Sequence, residues 1–342
     1  MVRFTVLASG SRGNSTVISG GRTRILVDAG LSCRELFRRM KLAGEDPRTL
    51  DAIVITHEHQ DHVNGLAVTA RKLGIPVYFT EATHRAWVRW MSPRRQMTYA
   101  QWLELRRQQA AQPTAAPAAE PDGQPTPADA PEAIACEQPT DAATDAVANP
   151  EPEPARSTAK EPGKGPASDP ADDPAWLPSV EYFAAGQPFA IGDFQVSPFT
   201  IPHDAADPVG FVFRIEGVKM GFATDLGYIP PNVKAQLTGV DLLLLESNHD
   251  LEMLRDGPYP WSVKQRVLSR VGHLSNEAAS SFLENEYDGQ AAYVILAHLS
   301  ENNNLPELAR VAAEQALSGR ATLLANKLLL ATQNEPLSSI YF

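Results

Sequence analysis

The chain has 342 residues, 43% of them apolar and 21% charged, with a formal net charge of −11. This is enough for one large domain or two modest ones around a packed core. Two cysteines, Cys33 and Cys136, exclude a disulfide framework and any CxxC-type zinc finger or iron–sulfur site.

The chain opens with MVRFTVLASG, which alternates like a strand and lacks a secretory apolar core. Strand patterns cover Arg3 to Ala8, Ser15 to Ser19 and Thr23 to Asp28, and a helix is expected from Cys33 to Leu42. Asp51 to Thr56 reads as a short apolar strand, Asp61 to Leu73 as a helix, Val77 to Thr80 as a strand and Thr83 to Arg107 as mostly helical. Further on, strands are expected near Glu181 and Phe189, then over Phe194 to Ile201, Val209 to Ile215, Lys219 to Thr224 and Asp241 to Glu246. Helices near Trp261 to Arg270 and Asn276 to Tyr287 precede a strand at Ala291 to Ala297. A last helix, Leu305 to Ala316, and a strand near Ala321 to Leu324 follow. Strands dominate both halves with helices between them, which favours two packed sheets with outer helices over one doubly wound sheet. No apolar run approaches the roughly 18–20 residues of a membrane span, so a cytoplasmic setting and no membrane partner are expected.

The acidity is concentrated in one place. Gln108 to Pro178 holds 15 Pro, 19 Ala and 13 Asp or Glu against three basic residues, a net −10, and leaves −1 for the rest of the chain. Such a stretch buries too little apolar surface to offset the entropy of ordering its backbone. It is expected to be a disordered insert, over residues 105–177, dividing a single domain into 1–104 and 178–342. Just before it, Arg85, Arg89, Arg94, Arg95, Arg106 and Arg107 accompany one acid, Glu104. Two readings stay open: a solvated helix face, or a surface for phosphate backbone that the acidic stretch shields.

Three of the eight histidines fall within THEHQDH: His57, His59 and His62, with Asp61 between them. His57 and His59, two apart at the end of an apolar strand, point to one face, and Asp61 and His62 open the following helix. Neutral imidazole and carboxylate suit zinc, and also manganese or iron. Asp28, His203, Asp225 and His298 each follow an apolar strand. Singly, a strand-end Asp is an ordinary turn or cap residue. Jointly, these residues supply enough donors for two adjacent divalent ions sharing a bridging carboxylate and hydroxide.

HEHQDH resembles the HxHxDH signature of the metallo-β-lactamase fold, and the later His, Asp and His occur in that family's order. The resemblance implies an αββα sandwich: an α/β fold of two packed mixed sheets flanked by helices. It also implies His57, His59 and His203 on one metal, Asp61, His62 and His298 on the other, Asp225 bridging, and Asp28 orienting a ligand from behind. Asp225 stands where the best-known β-lactamases have Cys. Glu246, ending DLLLLES, and His273, in GHLSNEAA, resemble the glutamate and the His-plus-helix element of ribonuclease Z, although a helix-capping role for His273 stays open. ASGSRGNS, HDAADPVG and LESNHD resemble the YycJ/WalJ-type branch, which is associated with exonuclease activity on DNA.

These expectations converge on a dinuclear metal hydrolase, a DNA exonuclease-like phosphodiesterase that uses a metal-bridging hydroxide and two ions, zinc first among them. Asp61 would steer the nucleophile. His273, polarised by Glu246, would protonate the leaving oxygen. Asn14 and Asn248 are candidate substrate contacts. The expected partner is nucleic acid or another phosphodiester, with a homo-oligomer left open. Two rival readings are a hydrolase of small thioesters, lactones or cyclic phosphodiesters on the same fold, and a non-catalytic metal-bound interaction module.

Overall fold

In sheet 1, Arg3–Ala8 (β1), Ser15–Gly20 (β2) and Thr23–Val27 (β3) form an antiparallel meander. Ala52–Val54 (β4), Pro76–Phe79 (β5) and Ser179–Tyr182 (β6) then add in parallel beside β3. The computed structural model describes residues 1–92, 173–318 and 326–342. Sheet 2 repeats the plan. Phe189–Ile191 (β7), Phe194–Thr200 (β8), Val209–Ile215 (β9) and Val218–Ala223 (β10) are antiparallel neighbours. Leu242–Glu246 (β11), Tyr293–Ala297 (β12) and Lys327–Leu330 (β13) continue in parallel. Ile340–Tyr341 (β14) closes the other edge of sheet 1 against β1, giving seven strands in each sheet.

Three apolar layers hold these sheets. Phe4, Val6 and Ile25 of sheet 1 face Phe194, Phe211, Phe213 and Phe222 of sheet 2 in a central core. On β11, Leu242 and Leu244 enter that core while Leu243 and Leu245 face an outer layer, the two-residue alternation of a strand buried on both sides. The outer face of sheet 2 is covered by helices Pro231–Leu237 (α5), Asn276–Asn285 (α8) and Pro306–Ser318 (α9) through Val233, Leu237, Leu283 and Ala313. That of sheet 1 is covered by Cys33–Leu42 (α1), Leu66–Leu73 (α3) and Glu81–Met91 (α4) through Leu36, Met40, Ala70 and Trp87. The result is the αββα sandwich that the sequence led us to expect. Ala175 and Leu177 pack into the sheet 1 outer layer, so the end of the Pro/Ala-rich stretch belongs to the folded part. Its earlier residues, with Arg94, Arg95, Arg106, Arg107 and Cys136, lie outside the described residues.

Several elements differ from expectation. The helix expected from Asp61 to Leu73 is two helices, Gln60–Val63 (α2) and α3. The His62 carbonyl accepts from Ala29 N and the Gly65 N–H donates to the Ala29 carbonyl, so the helical ladder is interrupted by the loop after β3. The helix expected to reach Arg270 (Trp261–Val267, α7) stops early. The chain then turns back, and His273 N donates to the Val267 carbonyl. A Cβ on Gly272 would lie 2.1 Å from that same carbonyl, so this tight return requires glycine. Helices α5 and Leu251–Asp256 (α6) were not anticipated. The strand expected at Ala321 to Leu324 lies outside the described residues, and β13 begins three residues later.

Candidate active site

Six strands deliver chemistry at their C-terminal ends: Asp28 after β3, the His57–His62 loop after β4, His203 after β8, Asp225 after β10, Glu246 ending β11 and His298 after β12. Asp28, Asp225 and His298 have left-handed backbones, with φ of 58°, 61° and 56°. These are uncommon conformations for residues other than glycine and concentrate at functional sites. The first donor group is His57, His59 and His203; the second is Asp61, His62, Asp225 and His298. A third set, Glu246 and His273, joins the second through Asp225 and His298.

Hydrogen bonds orient the imidazoles. His203 Nδ1 donates to the Gly272 carbonyl at 3.1 Å, His62 Nδ1 to Asp28 Oδ2 at 2.8 Å and His298 Nδ1 to Glu246 Oε1 at 2.9 Å. His57 Nδ1 meets the Thr56 hydroxyl at 3.0 Å, and that hydroxyl donates to Asp28 Oδ2 at 2.9 Å. In each of these rings Nε2 is thereby the nitrogen not spent on the orienting bond. Asp28 also accepts from Thr56 N at 2.9 Å, so one carboxylate behind the site fixes two imidazoles.

The donor set fits divalent cations. His57 Nε2, His298 Nε2 and Asp225 Oδ2 are buried without a hydrogen-bond partner among the described residues. His203 Nε2 and His59 Nδ1 lie 3.2 Å apart. His203 has already spent its N–H on Gly272. Buried lone pairs that converge without protons between them are costly unless a cation sits among them. Charge follows the same logic. Burial pushes the His57 imidazole well below its usual value, and neighbouring His62 pushes it further. Burial disfavours the charged forms of Asp225 and Asp61, but adjacent histidines outweigh it and hold both carboxyls well below the usual range.

Glu246 is shared. Its Oε1 accepts from His273 Nδ1 at 2.8 Å as well as from His298, and its Oε2 accepts from the backbone of Leu226 and Leu274. Burial raises its pKa, but the charge and hydrogen bond of His273 and the bond from His298 bring it down to about 2. His273 is not in either ligand group around the His57–His62 loop. It lines an open cleft of about 350 Å³ together with His59, Asp61, Asp225 and His298.

Asn14 and Asn248, expected to touch substrate, are both buried. Asn14 Nδ2 lies 3.1 Å from Asp61 Oδ2 and 3.0 Å from His62 Nε2, so it reaches the site from within the fold. Asn248 Nδ2 donates to the His298 carbonyl at 2.8 Å, which commits its amide to holding that loop. Three residues of the site went unnoticed in the sequence. Thr56 ties Asp28 to two histidines, and its signal is its place directly before His57. Asp204 and Arg266 line the cleft as a hydrogen-bonded ion pair.

A family profile described as Metallo-beta-lactamase superfamily matches residues 8–273. This chain belongs to the metallo-beta-lactamase superfamily. It is similar to the exodeoxyribonuclease YycJ of Bacillus anthracis, 31% identical over 92% of this chain and 89% of that protein. It is also similar to the exodeoxyribonuclease WalJ of Streptococcus pneumoniae, 28% identical over 90% of this chain and 86% of that one. Among solved structures, the metallo-beta-lactamase fold protein YhfI from Bacillus subtilis superposes with a TM-score of 0.57 at 13% identity, covering 98% of each chain. Family and donor clusters together make the chain a metal-dependent hydrolase. No helix among the described residues is long and apolar enough to cross a membrane.

Proposed function

We propose that this member of the superfamily is a cytoplasmic phosphodiesterase that degrades DNA as an exonuclease, with two divalent ions, zinc first among the candidates. The observation that carries the reading is the His273–Glu246 pair, a histidine of the cleft beside the two donor groups whose Nδ1 is held by a buried carboxylate shared with His298. The exodeoxyribonuclease names of YycJ and WalJ support the same substrate class.

His57, His59 and His203 would hold one ion, and Asp61, His62 and His298 the other, with Asp225 between them. Bound there, the ions supply Lewis-acid charge for the phosphoryl oxygens and lower the pKa of water. Asp61 opens onto the cleft and takes the proton of the attacking water. Asn14 Nδ2, 3.1 Å from its Oδ2, keeps that carboxylate in place. His273 has Nδ1 committed to Glu246, so Nε2 is the nitrogen that gives a proton to the leaving oxygen. Glu246 accepts the Nδ1 proton and keeps the ring pointed. One P–O bond forms to water and one breaks to the leaving alcohol, with one proton moved at each end.

The test is His273→Ala in the metal-loaded enzyme. Metal content should be unchanged. Hydrolysis of a DNA strand should slow about 10²–10⁴-fold, the usual contribution of a positioned acid. Bis(p-nitrophenyl) phosphate, whose leaving group needs no proton, should suffer far less. Equal slowing on both substrates would remove His273 as proton donor. Wild-type enzyme with both ions bound that cleaves neither would refute the nuclease reading.

A further inference from the structure

A second cavity, of about 720 Å³, lies beside α4 and is lined by His84, Arg85, Val88, Arg89, Tyr182 and Ala206. Its walls come from three elements. His84, Arg85, Val88 and Arg89 form one stripe of α4, because residues four apart lie on the same helix face. Tyr182 ends β6, the edge strand of sheet 1, and is 56% exposed. Ala206 belongs to the loop between β8 and β9, which also carries His203.

That loop links the cavity to the catalytic cleft. Asp204 lines the cleft and Ala206 lines the cavity. Two residues of extended chain span at most about 7 Å, which is close to the reach of one nucleotide. The loop is fixed on both sides. Ala206 N donates to Glu58 Oε1 at 2.8 Å, next to His57, and the Thr80 and Thr83 hydroxyls donate to the Asp207 carbonyl at the start of α4.

The chemistry of the cavity suits one kind of occupant. The Tyr182 hydroxyl is held by His84 Nδ1 at 2.7 Å, and the His84 ring stacks on Phe79 with centroids 4.9 Å apart. The phenol is therefore an exposed aromatic face whose orientation is already set, which lowers the entropy lost when a flat group stacks on it. Val88 adds an apolar floor. Arg85 and Arg89 are exposed cations at the rim. Arg85 is paired with Glu81, but both are solvent-exposed, and such pairs contribute little and exchange readily for a phosphate. Three further acids flank the lining residues: Glu58 has Oε1 committed to the loop backbone, Glu181 precedes Tyr182 on a strand whose successive side chains point to opposite faces, and Asp207 follows Ala206. Outside the Pro/Ala-rich stretch the chain is close to neutral, so two exposed arginines beside an aromatic face suffice to attract a phosphate locally.

We propose that this cavity is a nucleotide subsite for a single strand, in which one base, next along the strand from the scissile phosphate, stacks on Tyr182 while Arg85 and Arg89 hold the adjoining phosphates. The proposal rests on the phosphodiesterase reading above and adds where the strand runs: over the 203–207 loop and along α4.

The experiment compares wild-type metal-loaded enzyme with Arg85→Ala/Arg89→Ala, Tyr182→Ala and Tyr182→Phe on a short labelled DNA single strand and on bis(p-nitrophenyl) phosphate. The small ester reaches the cleft but not the subsite, so all four proteins should hydrolyse it alike. On the strand, Tyr182→Ala should lower kcat/KM by about five- to a hundred-fold, the contribution of one stacked base, and Tyr182→Phe, which keeps the ring but loses the His84 bond that sets it, should recover part of that loss. The double arginine variant should flatten the dependence of log(kcat/KM) on log[salt] by about 1.4, the loss of two single-strand phosphate contacts. Variants that process the strand like wild type would overturn the subsite and leave the nuclease reading intact. So would variants that lose strand and small ester in parallel. A wild-type enzyme that turns over the small ester and no strand would overturn the nuclease reading and the subsite with it.

Discussion

His249 gives the protein a pH-dependent stability that can be isolated. It lies in the loop after β11, 1% exposed, and neither ring nitrogen has a hydrogen-bond partner among the described residues. Burial brings its pKa down from 6.5 to about 4, with the attraction of Glu246 opposing the shift and His273 adding to it. In the unfolded chain the imidazole picks up its proton near pH 6.5; in the folded protein it does so only near pH 4. A depressed histidine therefore costs nothing above pH 6.5, where it is neutral in both states. Below that pH the unfolded state binds the extra proton and stability falls, until the folded ring also protonates. From about pH 7.5 to pH 5 this one residue removes about 2 kcal/mol of stability, at 1.36 kcal/mol per unit. The other histidines titrate too, so the quantity to measure is a difference. Urea unfolding of wild type and His249→Phe should be followed at several pH values in that range with the same metal loading. The stability of the wild type relative to the variant should drop by about 2 kcal/mol as pH falls. A gap that stays constant across the range would show that the ring is not held neutral by burial.

Two further predictions concern the site's frame and the Pro/Ala-rich stretch. A Cβ on Gly30 would sit 1.7 Å from the Asp61 carbonyl oxygen and 2.6 Å from Asn14 N. Gly30→Ala should therefore push the Asp61–His62 turn outward and weaken metal binding about 10–100-fold, read by competition with a chelating dye, with far-UV circular dichroism unchanged. Metal affinity equal to wild type would refute this. Replacing residues 108–172 with a short Gly/Ser linker should leave unfolding cooperative, whereas extending the deletion through Pro178 should cost about 2 kcal/mol or more by removing buried Leu177 and Ala175. Equal stability of the two truncations would show that those side chains contribute nothing.

The strands were legible because their patterns are strong. The uninterrupted LLLL of β11 marks a strand buried on both faces, and β9 places an apolar residue at every second position. The donor groups were legible for a related reason, since a chemistry-bearing residue directly after such a run marks a strand end. What escaped was short or long-range. Helix α6 has six residues, too few to show a 3.6-residue period, and it starts where Asp250 accepts from Met253 N at 2.8 Å. Strand β14 has two residues and exists because it pairs with β1 across the whole length of the chain. Asp204 and Arg266 look like any surface pair in sequence; the return of the chain after α7 brings them to the cleft rim.

The left-handed residues show why donor chemistry and backbone geometry are hard to separate here. Among the described residues, four that are not glycine have positive φ, and three of these are Asp28, Asp225 and His298. At each, the strand must stop and its side chain must turn toward the site instead of continuing the alternation. Such a conformation costs of order 1–3 kcal/mol and persists where surrounding bonds over-determine it. Those bonds are present. Asp28 N donates to the Val54 carbonyl and its carboxylate accepts from Thr56, while His298 N donates to Ser9 Oγ and its carbonyl accepts from Asn248. Asp and His are among the non-glycine residues that tolerate this region best, and both also coordinate divalent cations. A β-branched residue would fail at these positions on conformational grounds alone. All three positions are thus restricted twice: by what the backbone can adopt, and by a side chain that must serve a cation at Asp225 and His298 and must hold Thr56 and His62 at Asp28, and a sequence displays both restrictions as the same two letters.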